Sequence, residues 1–365
     1  MRFGVEEEFF VVDAASRRVA PSARLVVAGA MKPLGARVDG EDTELQVESR
    51  TTPCDSVSEL ARQIRENRSR LASSAAQRGL AVVATGTPVL GKAVPAPILE
   101  DARFEQGRAA MRGLLDEYVF CALQVHVEMP DREFAVLMSN HLRPYLPTLI
   151  ALTANSPYWY ERDTGYASWR TLLWSRWPVA GPPPYFRSAA HYTELLETLQ
   201  DAEALLDERT VYWDIRPSPR YPTLEIRVAD VPVTAEESAS FAALVRALVT
   251  SLRPAIESGD PGPAIEPELM RLAYWRAARD GWSGHGVDVH TGRLLPAPEL
   301  ARRLVEQARP TLEERGELDL IIRWRRFLDK AGTGADRQRR IAADRGHLSH
   351  VVDYLAEQTK NGELF

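Results

Sequence analysis

Three consecutive glutamates, Glu6, Glu7 and Glu8, sit inside the short apolar run GVEEEFFVV at residues 4–12. Side chains alternate along a strand, so Glu6 and Glu8 share one side while Val5, Glu7 and Phe9 take the other. Two carboxylates side by side in an apolar strand repel each other and lose solvation unless a cation lies between them. A hard divalent cation with oxygen ligands meets that need. A solvated edge strand accounts for this one segment equally well. The same sharing of a face recurs further along. In EDTELQVES it joins Glu44, Gln46 and Glu48, and in CALQVHVEM it joins Gln124, His126 and Glu128. In VYWDIRPS, Asp214 and Arg216 lie together with Trp213 and Ile215 opposite; in TLEIRVADV, Glu225 and Arg227 lie against Leu224, Ile226 and Val228. A merely wet sheet face explains the alternation, but explains less well a Gln-x-His and a Glu-x-Arg on it. Carboxylates point to metal, and guanidinium forks at the same level point to phosphate oxygens. Carboxylate-held Mg²⁺ beside arginine is the equipment of a nucleoside triphosphate site.

The usual loops for such a ligand are missing. No GxxxxGK[ST] occurs and no GxGxxG follows a strand; TGTPVLGK at 85–92 reads as an irregular turn with at most a substrate contact. That leaves a nucleotide bound through metal and side chains on a sheet. No GxSxG or zincin motif supports a serine hydrolase or zinc protease. Of seven histidines only His126 falls in the polar cluster. His141, His191, His285, His290, His347 and His350 are expected at the surface or at caps.

The elements that must carry these residues follow from pattern. The chain has 365 residues, 45% hydrophobic and 26% charged, with net charge −6, enough for one large α/β or α+β unit or two closely joined lobes. The mild acidity argues against nucleic acid as a main partner. No apolar run reaches bilayer-spanning length and the opening residues form a strand pattern, so a cytoplasmic protein without membrane contact is expected. Cys54 and Cys121 stand far apart, with neither CxxC spacing nor a disulfide framework. Residues 1–50 look strand-rich. A helix is predicted over 56–79, with Ser56 as N-cap, Glu59 three positions on and Gly79 as the stop. A strand LAVVAT, a helical stretch near 103–118, the strand 121–129 and helix 131–154 come next. The Trp-, Pro- and Gly-rich 155–188 reads as a long loop, of the kind that tends to be functional. Helix 191–208 and two strands follow. From 234 to 358 the pattern is helical, interrupted at 258–264 and 281–296. Strands early and helices late favour α+β with a mainly antiparallel sheet.

The chain resembles the bacterial carboxylate–amine ligase branch of the glutamate–cysteine ligase superfamily over nearly its full length. The matching stretches are GVEEEF (4–9), QVES (46–49), QVHVEMPDRE (124–133), NSPYWYERDTGYASWRTLLWSRWPVAGPPP (155–184), YWDIRPSPRYPTLEIRVADVP (212–232) and GTGADRQR (332–339). The resemblance implies a single catalytic domain over 1–365. Its expected fold is a curved, mainly antiparallel sheet forming a half-open funnel, like glutamine synthetase and the guanidino kinases, with helices outside. It implies ATP and Mg²⁺ (or Mn²⁺), and transfer of the γ-phosphoryl to a substrate carboxylate, classically the glutamate side chain. An amine such as that of cysteine then attacks the acyl phosphate. The alternatives are a phosphotransferase of guanidino kinase type, or a ligase for a different acid and amine. Carried over by position, the metal ligands would be Glu6, Glu8, Glu41, Glu48, Gln124 and Glu225. Glu41 is aligned only by its spacing before Glu48, so Asp42 or Glu44 can replace it. Arg227, with Glu225 and Glu8, would serve catalysis at the transferring phosphoryl. Arg170 and Arg216 would clamp phosphate or substrate carboxylate, with His126 and Trp213 also at the ligand. Family habit suggests a homodimer, with small-molecule acid and amine as substrates.

Three departures bear on specificity. Gln124-Val125-His126 stands where the branch has His-x-His, and Glu128 replaces a small residue. Gly86-Thr87-Pro88-Val89 lacks the His-Pro usual after the GT turn, in a loop expected near the acceptor. The arginines 323, 325, 326, 337, 339 and 340 are expected on a solvated surface, with Arg339 or Arg340 reaching nucleotide phosphate as a minor alternative.

Overall fold

Seven strands form one sheet in the computed structural model, which describes residues 1–98 and 102–362. They are β1 (Phe3–Asp13), β2 (Val38–Gly40), β3 (Gln46–Arg50), β4 (Leu80–Val83), β5 (Ala122–Glu128), β6 (Ile215–Pro217) and β7 (Thr223–Asp230). The order is β6-β7-β5-β1-β3-β2, and β4 pairs with the far end of β1. Every pairing is antiparallel. The eleven-residue β1 is the hub: its first half lies between β3 and β5, and Phe10–Asp13 pair with β4. The α+β class expected from the pattern is the one observed.

One face of this sheet is dry. Val5, Leu123, Val125, Val127, Ile215, Leu224 and Ile226 pack on helices from the second half of the chain, above all Ala235–Glu257. Contrary to the expectation that no apolar run reaches spanning length, that helix has 23 residues and is apolar enough by length and composition to cross a membrane, but 72% of its apolar window is buried in this core. It begins at a capping box in which Thr234 and Glu237 exchange hydrogen bonds. Glu7 points to the dry face too. Its carboxylate meets Arg68 at 2.5 and 3.1 Å, and Ser238 donates to it at 2.6 Å. Both charged side chains are 1% exposed. Arg68 spends its remaining hydrogens on the Pro232 and Val233 carbonyls, so a buried pair is tolerated because its polar atoms are occupied.

Several local expectations hold and several change. Ser56 accepts from the Glu59 amide at the start of helix Val57–Ala76. Residues 1–50 are not all strand: Ala23–Leu34 is a helix whose buried Ala23, Val26, Ala30 and Leu34 recur at helical spacing. The 131–154 segment is two helices, Arg132–Leu142 and Leu146–Thr153, parted by a turn at Arg143–Tyr145 that contains Pro144. The 155–188 segment contains the short helix Trp169–Trp174, capped by Ser168. His141 is buried, with Nε2 2.9 Å from the Asp260 carbonyl, whereas His347 does cap the final helix. Among the C-terminal arginines, Arg337 is buried against Glu237 and not solvated; Arg339 is held by Asp163, and Arg340 by the Ala331 carbonyl. None of these lines the polar cleft described next.

Candidate active site

The wet face of the sheet forms the floor of a cleft of about 340 Å³. Antiparallel register sets its side chains opposite one another: Glu8 faces Glu48 across β1 and β3, Glu6 faces Gln124 across β1 and β5, His126 faces Glu225, and Glu225 faces Arg216. Glu41, in the turn between β2 and β3, reaches the same place. Ligand oxygens of Glu8, Glu41 and Glu48 lie within 4.8 Å of one another. Among the described residues no other group of three or more acidic, histidine or cysteine side chains is gathered in this way.

The trio is short of positive charge. Burial raises Glu41 well above the usual carboxylate range, reinforced by Glu48 and Glu8. Burial likewise pushes Glu48 up to about 7, reinforced by Glu6, although Arg50 opposes it. Burial raises Glu8 as well, against Arg170 and the Ala122 amide, which donates to it at 2.8 Å. Crowded oxygens, of which only those of Glu48 are in direct contact with a guanidinium, and no nitrogen or sulfur ligand are the donor set of a hard divalent cation, and the residues present fit such an ion.

The other flank has the opposite balance. Burial acts to raise Glu225, but Arg216 and then Arg227 outweigh it and hold the carboxyl at about 2. Arg216 donates to Glu225 at 2.6 Å and to the Val211 and Arg209 carbonyls at 2.5 and 2.8 Å. Arg227 hydrogen-bonds Gln124 and approaches Glu225 at 3.3 Å, while its Nε is buried without a partner. Gln124 in turn donates to Glu8 at 3.0 Å, which ties the acidic and basic flanks together. Burial lowers the His126 imidazole, but Glu6 and then Glu225 more than compensate and raise it. Its Nε2 lies 3.5 Å from Glu6 and its Nδ1 2.9 Å from the Thr223 hydroxyl.

Nine of the eleven residues singled out in the sequence line this cleft: Glu6, Glu8, Glu41, Glu48, Gln124, His126, Arg216, Glu225 and Arg227. Two do not. Arg170 lies beneath, donating to the Arg227 and Val228 carbonyls at 3.0 and 3.4 Å and stacking on Trp174. It is a support for the strand that presents Arg227. Trp213 packs against Phe186 and Tyr192 on the other side of the sheet edge. Of the alternatives to Glu41, Asp42 also lines the cleft, whereas Glu44 is drawn off by Arg24 at 2.7 Å. The Gly86–Val89 loop does not line it either. A Cβ at Gly86 would lie 2.8 Å from the Asp230 carboxyl carbon, and Thr87 is buried against the Tyr158 carbonyl. What the strand pattern missed is the opposite wall, where Tyr118, Trp177 and Tyr212 meet edge to face at 5.2 and 5.6 Å beside Met111, Leu115 and Leu206. Trp177 stands in the WSRWPV stretch, but loop residues have no period to reveal which way they face.

Solved structures share this architecture. A glutamate–cysteine ligase from Francisella tularensis, in complex with AMP, superposes at TM-score 0.73 over 100% of this chain and 90% of its own, with 14% identity. A bifunctional glutathione synthetase from Pasteurella multocida gives 0.71 over 98% and 52%, with 16% identity. In sequence, a Nocardia farcinica protein provisionally named glutamate–cysteine ligase 2-1 is 42% identical over 362 residues, 98% of this chain and 93% of that one. One from Mycobacterium sp., provisionally named glutamate–cysteine ligase 2-2, is 41% identical over 360 residues, 98% of each. The protein is an ATP-dependent carboxylate–amine ligase. Residues 2–354 match glutamate–cysteine ligase family 2, and the chain belongs to that family.

Proposed function

We propose that the cleft joins the side-chain carboxylate of glutamate to the amine of an amino acid such as cysteine. The observation that carries this reading is the pairing of the Glu8–Glu41–Glu48 trio with Arg227, whose Nε is buried and unpartnered. A carboxylate is a poor acyl donor until one oxygen becomes a phosphate leaving group. The substrate oxygen attacks the γ-phosphorus, the bond to the β-phosphate oxygen breaks and ADP leaves. The amine then attacks the acyl carbon, phosphate departs with the C–O electrons, and the nitrogen sheds a proton to give the amide.

Both steps bring anions together, so the residues' work is to neutralise and to position. Glu8, Glu41 and Glu48, with Glu6, Gln124 and Glu225 around them, would hold Mg²⁺ (or Mn²⁺), which supplies charge neutralisation for the triphosphate. Arg227, at the floor of the cleft, would donate to phosphoryl oxygens, and Glu225 and Gln124 fix its plane. Arg216 is committed to Glu225 and two carbonyls, so it acts chiefly by orienting that carboxylate. Tyr118, Trp177 and Tyr212 exclude water from the opposite wall.

ADP release with Mg-ATP and glutamate, alone and against a panel of amines that includes cysteine, tests the reading. Amine-dependent ADP with an amide product supports it. ADP formed with a phosphorylated guanidine as product would point to the kinase alternative, and absence of nucleotide turnover across the panel would overturn the assigned pair.

A further inference from the structure

A second cleft, of about 960 Å³, opens on the other side of the sheet edge. The chain alternates between the two: Trp177 and Tyr212 face the polar cleft, while Val179 and Trp213 face this one. Its walls are mostly apolar, with Leu195, Leu199 and Trp213 on one side and Met270 and Tyr274 of the Pro267–Asp280 helix on the other. Arg143, from the turn between helices Arg132–Leu142 and Leu146–Thr153, also lines it. Arg143 is 3% exposed, and its Nε and Nη1 are buried without a hydrogen-bond partner.

Every other deeply buried arginine described above has an anion or carbonyls to meet: Arg68 has Glu7, Arg216 has Glu225, Arg337 has Glu237 and Arg170 has two backbone oxygens. Arg143 has no ion pair among the described residues. Burial lowers its pKa, and the groups that oppose this are the phenols of Tyr274 and Tyr185, not a carboxylate. The Tyr274 hydroxyl is itself buried beside Asp214 without a hydrogen bond of normal geometry. The other charged lining residues, Glu266 and Arg271, are exposed. A guanidinium buried without a counter-charge is costly, and a ligand anion removes the cost. The walls set the rest of that ligand: an apolar body, since aliphatic and aromatic side chains line the space around the cation.

We propose that this cleft is a binding site for a small amphipathic carboxylate, its anion on Arg143 and its apolar body between Leu199 and Met270. The site lies behind the edge strand and is separate from the polar cleft. Octanoate and phenylacetate serve as probes, with inorganic phosphate as the comparison, in calorimetric titration of the full chain. One molecule of octanoate should bind more tightly than phosphate, with saturating Mg-ATP leaving its affinity unchanged. Arg143→Met should weaken octanoate roughly tenfold or more, the loss expected for a charge-assisted pair. Leu199→Trp narrows the cleft while leaving the Arg143 side chain itself unchanged and should weaken it comparably, so a folding defect in the arginine variant does not decide the matter. Phosphate binding as tightly as octanoate, displacement of octanoate by Mg-ATP, unchanged affinity in Leu199→Trp, or no binding of either carboxylate at millimolar concentration would each overturn the site.

Discussion

Glu8 joins several neighbours at once: it faces Glu48, lies beside Glu41, takes hydrogen bonds from Ala122 and Gln124, and through Gln124 meets Arg227. Glu8→Gln removes one charge from the trio at nearly constant volume. ATP turnover should fall at least about 100-fold, the scale of a lost electrostatic contact at a transition state, with circular dichroism unchanged. Arg227→Lys should be as severe, because an ammonium cannot hold the Gln124 and Glu225 contacts and also offer a free N–H. Wild-type ADP formation in either variant would remove that residue from its assigned role. Facing is what the residues of β1, β3, β5, β6 and β7 revealed in the sequence, because a period of two decides it. Glu41 sits in a turn, where period two stops, so only the fold separates it from Glu44. Arg170 stands in a stretch dense with family resemblance, which does not say to which side a side chain turns; for Trp213 the resemblance pointed to the ligand, but strand alternation had already set it opposite Arg216, and alternation was right.

At the scale of elements, two buried charges hold the site's backing together. Arg68→Met leaves Glu7 uncompensated on the dry face and should cost about 3–5 kcal/mol in urea unfolding. Adding Glu7→Leu should recover much of that loss, because the orphan charge goes with it. Asp230, at the end of β7, accepts from the Asn155 amide at 2.8 Å and from the Ser156 and Ser168 hydroxyls at 2.7 and 2.9 Å. It thereby pins the 155–170 segment and the root of Arg170. Asp230→Asn should lower kcat while leaving Mg²⁺ affinity near wild type; loss of metal binding instead would mean that the segment shapes the trio directly. The strands were legible as elements, and so was the 57–76 helix with its cap. The Ala23–Leu34 helix was not. Its Val26-Val27 pair, Gly29 and Pro33 are poor helix formers, and packing overrides them. Gly29 lets that helix approach Ser74, whose hydroxyl lies 2.3 Å from where a Cβ would be. The break at Arg143–Tyr145 was hidden too, although Pro144 marks it, and that turn carries the arginine of the second cleft.

For the molecule as a whole, the acidic trio couples stability to pH and metal. A carboxylate raised in the folded state contributes stability that is full below its unfolded pKa and lost as pH rises through its folded one. Glu48, pushed up to about 7, and Glu41, raised well above the usual carboxylate range, therefore destabilise the metal-free protein as pH increases through neutrality. A bound divalent cation displaces those protons and reverses the trend. Melting temperatures with and without Mg²⁺ should diverge as pH rises from about 6 to about 8; a gap that stays constant would place the ion elsewhere. The order of the sheet has another consequence. Its path ends at β2 and β6, three residues each, with Asp39 exposed on one and Pro217 closing the other. The chain just before β6 is already paired, Tyr212–Trp213 running parallel to Ala180–Gly181. Neither end of that path offers a long bare ladder of amides and carbonyls to another chain, so strand addition at β2 or β6 finds only a few residues to pair with.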